Sequence, residues 1–449
     1  MSEVYAIEGI EERLSSVDTN PEVPLDVEIP GTNPSPYAAQ RISGTIQPYS
    51  WGSRTALAEL TRRPCPTDHP EAELWLGAHP KSPSTLETGA LLSDVIDRSP
   101  TSALGSKCVD EFGARLPFLL KVLAAETALS LQAHPTLEQA RAGFARENAA
   151  GIPIDSPMRN YRDDNHKPEL LVALTEFHAL TGFRDVERTR ALFGALDLPE
   201  LAESARCLEK NGLRGLFEEW LSLENAQAQE LSMLVVGACR RYLDAFLDGD
   251  FVEESQTVID LAEQYPGDSG VLVAMLLNRI TLQPGEGVYL GAGHLHAYLR
   301  GTGIEMMANS DNVLRGGLTN KHIDRSELVD VVRFKSIAPP IIRPVPLTTF
   351  LQEGVLRYST PAPEFQLRRI EIRPSSVRGS SVARTWADGP QILLCTKGAC
   401  EIAVDGVESM SPGSSFEIAQ GESIWLPAGA TATLSSEDVD SQVFIATTA

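Results

Sequence analysis

The chain has 449 residues, of which 42% are hydrophobic and 22% charged, and its formal net charge is −23 at pH 7. This composition is typical of a globular protein of about two to four domains, and the negative charge argues against nucleic acid or an anionic membrane as a partner. Six dispersed cysteines without a C-x-x-C pair argue against a disulfide framework.

The N-terminal segment, residues 1–40, is acidic and rich in proline, and Arg13 is its one basic residue. Such a composition predicts an extended leader rather than a packed element. The segment lacks the basic and apolar regions of a secretion signal, and no apolar run in the chain is long enough to span a bilayer. We therefore expect a cytoplasmic protein.

Short strands and helices are predicted after the leader, because apolar residues alternate or run together between turn residues. Strand patterns lie at 42–52, 72–80, 116–123, 128–134 and 165–174. Helical patterns lie at 55–61, 91–96 and 137–148. This part of the chain therefore reads as a mixed β domain.

The pattern changes to a helical period at residue 185 and keeps it to 278. Leu213, Leu216, Phe217 and Trp220, for example, fall on one face of a helix. We predict an all-α domain of about five or six helices here. Strand patterns return at 287, and a helix at 326–332 leads into a linker at Pro339-Pro340.

The C-terminal part reads as short strands separated by turns, with Asp405-Gly406 between two alternating runs as a hairpin signal. It contains no histidine, which argues against a histidine metal site there. We divide the chain into a leader (1–40), a β domain in two pieces (41–184 and 279–335), a helical insertion (185–278) and a small all-β domain (336–449).

Residues 291–321 concentrate the polar chemistry of the chain. His294 and His296 are two apart, so both face the same way on a strand. Glu305 interrupts an apolar run, and residues 309–312 (NSDN) predict a tight turn. Arg315 stands before two glycines, where the backbone is free to bend away from the guanidinium.

Two upstream clusters add to this set. Gln132 and His134 share one strand face, and residues 165–169 bring a histidine, a lysine and a glutamate together. Imidazole, carboxylate and amide ligands suit Zn²⁺ or a similar divalent ion. The nearby cations suggest an anionic substrate, most simply a phosphate. These cations are Lys121, Lys167, Arg315 and Lys321.

Seven motifs in the same order resemble type I mannose-6-phosphate isomerases. They are 49–53 (YSWGS), 72–84 (AELWLGAHPKSPS), 116–123 (LPFLLKVL), 129–135 (LSLQAHP), 165–169 (NHKPE), 296–299 (HAYL) and 305–319 (EMMANSDNVLRGGLT). The likeness extends from residue 42 to 449 and leaves out the leader. It implies a double cupin: a catalytic antiparallel β-barrel of jelly-roll type, a helical insertion and a second barrel without a metal.

The resemblance also implies one zinc ion per chain, bound by Gln132, His134, Glu169 and His296. His296 is chosen over His294 because it precedes Ala-Tyr-Leu, as the ligand of the family does. His294 stands where the family usually has Asn, and we expect it to be a neighbour of the site or a group that supports a ligand. Asn320 replaces the usual proline before the lysine.

The implied reaction interconverts mannose 6-phosphate and fructose 6-phosphate through a cis-enediol, feeding mannose metabolism and GDP-mannose synthesis. Arg315 matches the active-site arginine of the family. The base stays open among Lys167, Glu305 and Asp311, with His166 as a further candidate. For sugar and phosphate contacts the candidates are Trp51, Lys121, Ser130 and Lys321, although Trp51 could equally be a core tryptophan.

Two other functions fit parts of the pattern. A cupin iron dioxygenase would use two histidines and a carboxylate and leave several metal positions open. A non-catalytic double cupin for storage or sugar binding would need no metal. The complete amide, histidine and carboxylate set favours the isomerase, and we expect a monomer whose partner is a phosphorylated hexose.

Overall fold

The computed structural model describes residues 38–349, 352–373, 382–406, 414–437 and 439–449. The predicted leader lies outside these residues up to position 37. Gln40, which we assigned to the leader, is buried and opens the first strand. None of the helices in the described part of the chain has the length and apolarity needed to span a bilayer.

The first part of the chain alternates short strands and helices, as predicted. Its elements are β1 (Gln40–Ser43), β2 (Thr45–Gln47), α1 (Ala56–Leu60), β3 (Glu73–Leu76), β4 (Thr85–Leu86), α2 (Leu92–Arg98), α3 (Pro100–Leu104), α4 (Ser106–Phe112), β5 (Phe118–Ala125), β6 (Leu131–Ala133), α5 (Leu137–Ala149), β7 (Glu169–Ala173) and β8 (Phe177–Phe183).

Consecutive helices follow, and strands then return. The helices are α6 (Val186–Leu196), α7 (Pro199–Ser222), α8 (Asn225–Ala245), α9 (Val252–Gln264) and α10 (Gly270–Ala274). The next elements are β9 (Leu277–Leu282), β10 (Gly287–Leu290), β11 (His296–Ala308), β12 (Leu314–Gly317), α11 (Arg325–Val331) and β13 (Ile341–Ile342).

The C-terminal part is built of strands. They are β14 (Val345–Thr349), β15 (Gln352–Tyr358), β16 (Gln366–Ile372), β17 (Ala383–Trp386), β18 (Gln391–Lys397), β19 (Ala399–Asp405), β20 (Ser414–Ala419), β21 (Ser423–Leu426), β22 (Thr431–Ser435) and β23 (Ser441–Thr447). Strands β19 and β20 pair antiparallel, as the Asp405-Gly406 signal predicted, and residues 407–413 between them lie outside the described residues.

These strands form two sheets. In the first sheet the order is β13-β10-β7-β11-β5-β3-β2; β6 and β8 also pair with β11, and they pair in turn with β12 and β9. In the second sheet the order is β20-β19-β22-β17-β15-β16-β23-β18-β21-β1-β4, with β14 beside β15. The fold is therefore mixed and rich in sheet, with helices between the strands of the first sheet.

Residues 42–52 were predicted as one strand, but the structure divides this segment between the two sheets. Ile42 in β1 pairs with Ser423 of the second sheet, whereas Thr45 in β2 pairs with Trp75 of the first. A side chain on Gly44 would place its Cβ 2.3 Å from the Trp75 carbonyl oxygen. The glycine allows the close approach at which the chain changes sheets.

Strand β11 organises the first sheet because its two ends pair with different strands. Its N-terminal end pairs with β6 and β8, and the rest pairs with β5 and β7. Gly301 lies between these parts with φ of 126°, a conformation that L-residues rarely adopt. Gly301 therefore marks the point at which β11 changes its pairing partners.

Both faces of the first sheet are buried. On β5, Leu120 and Val122 pack toward second-sheet residues such as Leu394 and Phe444, and Leu123 faces an interior cluster with Leu171. The helices share a third core with strands β6, β8 and β12. A strand buried on both faces reads as a continuous apolar run, as residues 116–123 do apart from Lys121.

Replacing Leu120 by alanine should lower the free energy of unfolding by about 2–5 kcal/mol, because the core between the sheets loses a fully buried side chain. Leu247, whose surface is 86% exposed, gives the matched control. Leu247→Ala should change the stability by less than about 0.5 kcal/mol. Denaturant unfolding measures both, and equal effects would contradict the assigned core.

Candidate functional site

Three of the predicted site residues lie side by side across neighbouring strands. Gln132 on β6 is the register partner of His296 on β11 and of Arg315 on β12. Residues directly opposite each other in antiparallel strands share a face of the sheet. The amide, the imidazole and the guanidinium therefore form one row at the beginning of β11.

The carboxylate of Glu169, at the start of β7, joins two imidazoles. Its Oε1 is 3.2 Å from His134 Nε2, and its Oε2 is 3.4 Å from His296 Nε2. Ligand atoms of the three residues all lie within 4.8 Å of one another, and all three side chains are buried. Two imidazoles and one carboxylate at this spacing could hold a divalent ion.

Both imidazoles are oriented by main-chain carbonyls. His134 Nδ1 donates to the Asn312 carbonyl at 2.8 Å, and His296 Nδ1 donates to the His294 carbonyl at 2.9 Å. Because a carbonyl only accepts, each Nδ1 carries a proton, and each Nε2 faces Glu169. The main chain of His294 thus supports His296, and a residue of any type at position 294 would offer the same carbonyl.

The electrostatics of the group suit a cation. Burial lowers the pKa of His134 to about 4, so the ring is neutral at pH 7. Burial alone would raise the pKa of Glu169, but the positive charge of Lys167 holds it well below its usual range. His134 Nε2 is buried and has no hydrogen-bond partner among the described residues. An unsatisfied lone pair beside a carboxylate fits a metal ligand.

Two lysines of the predicted set are buried against carboxylates. Lys167 Nζ is 2.9 Å from Glu169 Oε1. Lys121 Nζ is 3.0 Å from Glu305 Oε2 and 3.5 Å from Glu73 Oε1, and it lies over the ring of Trp75.

The contact between Lys121 and Glu305 affects the pKa of both side chains. Burial would lower the pKa of Lys121, but the negative charges of Glu305 and Glu73 raise it. Burial raises the pKa of Glu305, against the opposing effect of Lys121. Lys121 is therefore charged and enclosed, and Glu305 is a stronger base than an exposed glutamate.

Asp311 is held by other partners. Its Oδ2 accepts from Lys81 Nζ at 2.6 Å, and its Oδ1 lies 3.5 Å from His79 Nε2. Burial would raise the pKa of Asp311, but hydrogen bonds from His79 and Lys81 lower it strongly. A carboxylate with such a low pKa is a weak base.

Arg315 and Lys321 gather with a third cation, Arg162. Burial lowers the pKa of Arg315, and the charge of Arg162 lowers it further; the pKa of Lys321 is lowered by burial and then by both arginines. Within the described residues, none of the three has a carboxylate within 4.0 Å. Three neighbouring cations with no carboxylate this close among the described residues could bind an anion.

The other predicted site residues, Trp51, Ser130 and His166, lie near the groups described above or face another part of the fold. Trp51 is half-buried beside the interior cluster and stacks with Tyr49 at 5.7 Å between ring centroids. Ser130 is half-buried directly before β6. His166 Nε2 donates to Glu364 Oε1 at 2.5 Å, and Glu364 precedes β16 of the second sheet, so the His166 ring is engaged there.

Besides Arg162, sequence reasoning missed three residues near the site. Tyr298 lies two residues after His296 on β11, and its buried hydroxyl is close enough to Glu305 for this carboxylate to add to the effect of burial in raising its pKa. Glu73 lies two residues before Trp75. Period-two counting from His296 and Trp75 would have found both. Asn312 is the third, and it carries no local signal because its partners are distant in the chain.

Comparisons with known proteins point to one family. Residues 39–186 match the family model of the phosphomannose isomerase type I catalytic domain. The mannose-6-phosphate isomerase of Escherichia coli is 39% identical over 392 residues, covering 86% of this chain and 95% of that protein. Mannose-6-phosphate isomerase 2 of Arabidopsis thaliana is 32% identical over 87% of this chain and 89% of its own length.

The similar solved structures are also mannose-6-phosphate isomerases. A zinc-bound mannose 6-phosphate isomerase superimposes with a TM-score of 0.78 and 34% identity, covering 92% of this chain and 99% of that one. A lysine-to-alanine variant of phosphomannose isomerase from Salmonella typhimurium has the same TM-score, identity and coverage.

The metal-free protein should lose stability as the pH falls from about 6.5 toward about 4, because the unfolded chain protonates the His134 position in that range and the folded chain does not. Between pH 7 and pH 5 the loss due to His134 is on the order of 2 kcal/mol. Urea unfolding of chelated protein at the two pH values measures it.

His134→Gln should reduce this pH dependence, since glutamine does not titrate. His69→Gln, at an exposed histidine, should leave it unchanged. The same pH dependence in all three proteins would exclude His134 as its source.

Proposed function

The chain belongs to the type I mannose-6-phosphate isomerase family, and we propose from this membership that it interconverts mannose 6-phosphate and fructose 6-phosphate with zinc as its cofactor. The observation that carries the proposal is the buried group of His134, Glu169 and His296, with an unsatisfied imidazole nitrogen turned toward the carboxylate. The dioxygenase and storage alternatives are not retained, because the relatives are isomerases.

We assign zinc binding to Gln132, His134, Glu169 and His296. The three charged or imidazole donors are supported by their spacing, and Gln132 by its position opposite His296. When bound, zinc supplies Lewis-acid polarisation of the sugar oxygens that gain charge in the reaction. Lys167, at 2.9 Å from Glu169, holds this carboxylate ionised and limits its rotation.

We assign the proton transfer between C1 and C2 to Glu305. Its raised pKa and its place inside the sheet favour it over Asp311, whose pKa is strongly lowered. Lys121, at 3.0 Å, stabilises the carboxylate after it returns the proton and lies where it can donate to a sugar hydroxyl. Lys167 stays a second candidate for proton transfer, and the Tyr298 hydroxyl is buried near Glu305.

We assign the phosphate of the substrate to the cations near β12. Arg315 is in the same row as Gln132 and His296, so it can contact the developing negative charge on the enediol as well as the phosphate. Lys321 is more exposed and extends the positive surface outward. Ser130, before β6, and Trp51, at the rim of the interior cluster, would contact the sugar.

The finer architecture is also part of the proposal. We interpret the two sheets as cupin barrels and helices α6–α10 as an insertion in the first. Because the assigned residues all come from one chain, a monomer is sufficient for the reaction. The six cysteines form no disulfide, which favours a reducing compartment such as the cytoplasm.

The purified protein should convert mannose 6-phosphate to fructose 6-phosphate, lose this activity on chelation and regain it with Zn²⁺. The physical reason is that the imidazole and carboxylate donors need the ion to act on the sugar oxygens. A coupled assay of fructose 6-phosphate measures it, with Mg²⁺ addition as the control. No turnover by the zinc-loaded protein would contradict the proposed function.

Arg315→Ala should keep its zinc content and lower kcat/KM by about 10²- to 10³-fold, because the guanidinium acts on charge that develops during the reaction. Arg300→Ala is the matched control, since Arg300 lies on β11 with its side chain 70% exposed. Metal analysis and steady-state kinetics measure both. An unaltered rate in Arg315→Ala would remove Arg315 from the chemistry.

A further inference from the structure

Asn312 stands apart from the other buried polar residues because its hydrogen bonds reach two functional groups. Its side chain is fully buried, and its main-chain carbonyl accepts from His134 Nδ1 at 2.8 Å. Its Oδ1 accepts from the Arg162 backbone N–H at 2.7 Å. Asn312 therefore supports His134, a proposed metal ligand, and accepts a hydrogen bond from the backbone of Arg162, a proposed anion-binding residue.

The amide of Asn312 also joins two loops that are distant in sequence. Its Nδ2 donates to the carbonyls of Asp163 and Asn165, both at 2.8 Å, and to Asp163 Oδ1 at 3.2 Å. Its own backbone N–H donates to Ser310 Oγ at 3.2 Å. The loop after β11 is therefore fixed to the loop that leads into Lys167 and Glu169.

The position of Asn312 along the chain adds a third connection. Arg315 follows three residues later on β12, where it stands opposite Gln132. Displacing residue 312 would move the carbonyl that holds His134, the turn that carries Arg162 and the start of β12. A buried amide with satisfied donors and acceptors resists such movement, because breaking any one bond leaves a polar group unpaired.

We propose that Asn312 is a positioning residue that sets the distance between the metal ligands and a phosphate-binding cluster of Arg162, Arg315 and Lys321, in which Arg162 is a further substrate-binding residue. The inference rests on the proposed function, because it assumes that the substrate is bound at its phosphate and also at the carbons that react. A phosphosugar held at its phosphate reacts only if its C1 and C2 lie at the right distance from that anchor.

The main test replaces Asn312 by aspartate, which keeps the shape but turns a carboxylate oxygen toward two carbonyls and Asp163. The zinc dissociation constant should rise about 10- to 100-fold, the magnitude typical of lost support for a ligand. The dissociation constant of inorganic phosphate for the zinc-loaded protein should rise about tenfold, because Arg162 is displaced. Chelator competition and calorimetry measure the two constants.

Asn312→Ser is the second variant, since it removes the amide without adding a charge and should show the same two changes to a smaller extent. It keeps the inference testable if the aspartate variant does not fold, which thermal melting of each protein will establish. With turnover present, both variants should lower kcat as well as raise KM, whereas loss of folded protein alone would leave KM unchanged.

Asn278→Asp is the matched control. Asn278 is also buried, and its Nδ2 donates to the carbonyls of Thr181, Gly182, Phe183 and Ile337 at 3.0–3.3 Å. None of these bonds goes to a proposed ligand or cation. The control should lower the melting temperature and leave both dissociation constants unchanged.

The inference is overturned if both constants are unchanged in the Asn312 variants, if only zinc affinity falls, or if Asn278→Asp changes them equally. Both are equilibrium measurements that do not need turnover. A wild-type protein that binds zinc and phosphate but does not isomerise mannose 6-phosphate would contradict the proposed function, and the comparison of variants would still decide the role of Asn312.

Discussion

The carboxylate of Glu169 is the charge on which the site depends. It is buried, and a buried carboxylate is stable only when cations and hydrogen bonds compensate for its lost hydration. Lys167 supplies one partner at 2.9 Å, and His134 and His296 lie on its two oxygens. A divalent ion between these groups would complete the compensation. The loop before β7, the end of β6 and the start of β11 must therefore meet at this one point.

The scaffold satisfies this requirement through β11. Its first residues pair with β6 and β8 and its later residues with β5 and β7, so one strand contributes both His296 and Glu305. Packing on both faces holds it: the second sheet covers one side, and the interior cluster fills the other. Charged groups inside such a sheet occur as compensated pairs, as Lys121 does with Glu305 and Glu73.

Charge compensation also distinguishes two groups of cations in the proposed site. Lys121 and Lys167 face carboxylates at about hydrogen-bonding distance, so their charge is already compensated within the protein. Arg162, Arg315 and Lys321 lie near one another, and the described residues place no carboxylate within 4.0 Å of them. Mutual repulsion in this cluster is unfavourable, and a bound dianion would relieve it.

The sequence by itself determined the features that depend on near neighbours. Period-two spacing singled out Gln132 and His134, although β6 ends at Ala133 and His134 follows it. Apolar runs predicted β5 and β7, and helical spacing predicted α6–α10. The seven motifs and their order along the chain predicted the family. Only the tertiary structure decided which lysines are enclosed, that β1 pairs in the second sheet, and that Asn312 joins His134 to Arg162. These facts depend on the register between segments up to several hundred residues apart, and neither composition nor local periodicity carries that information.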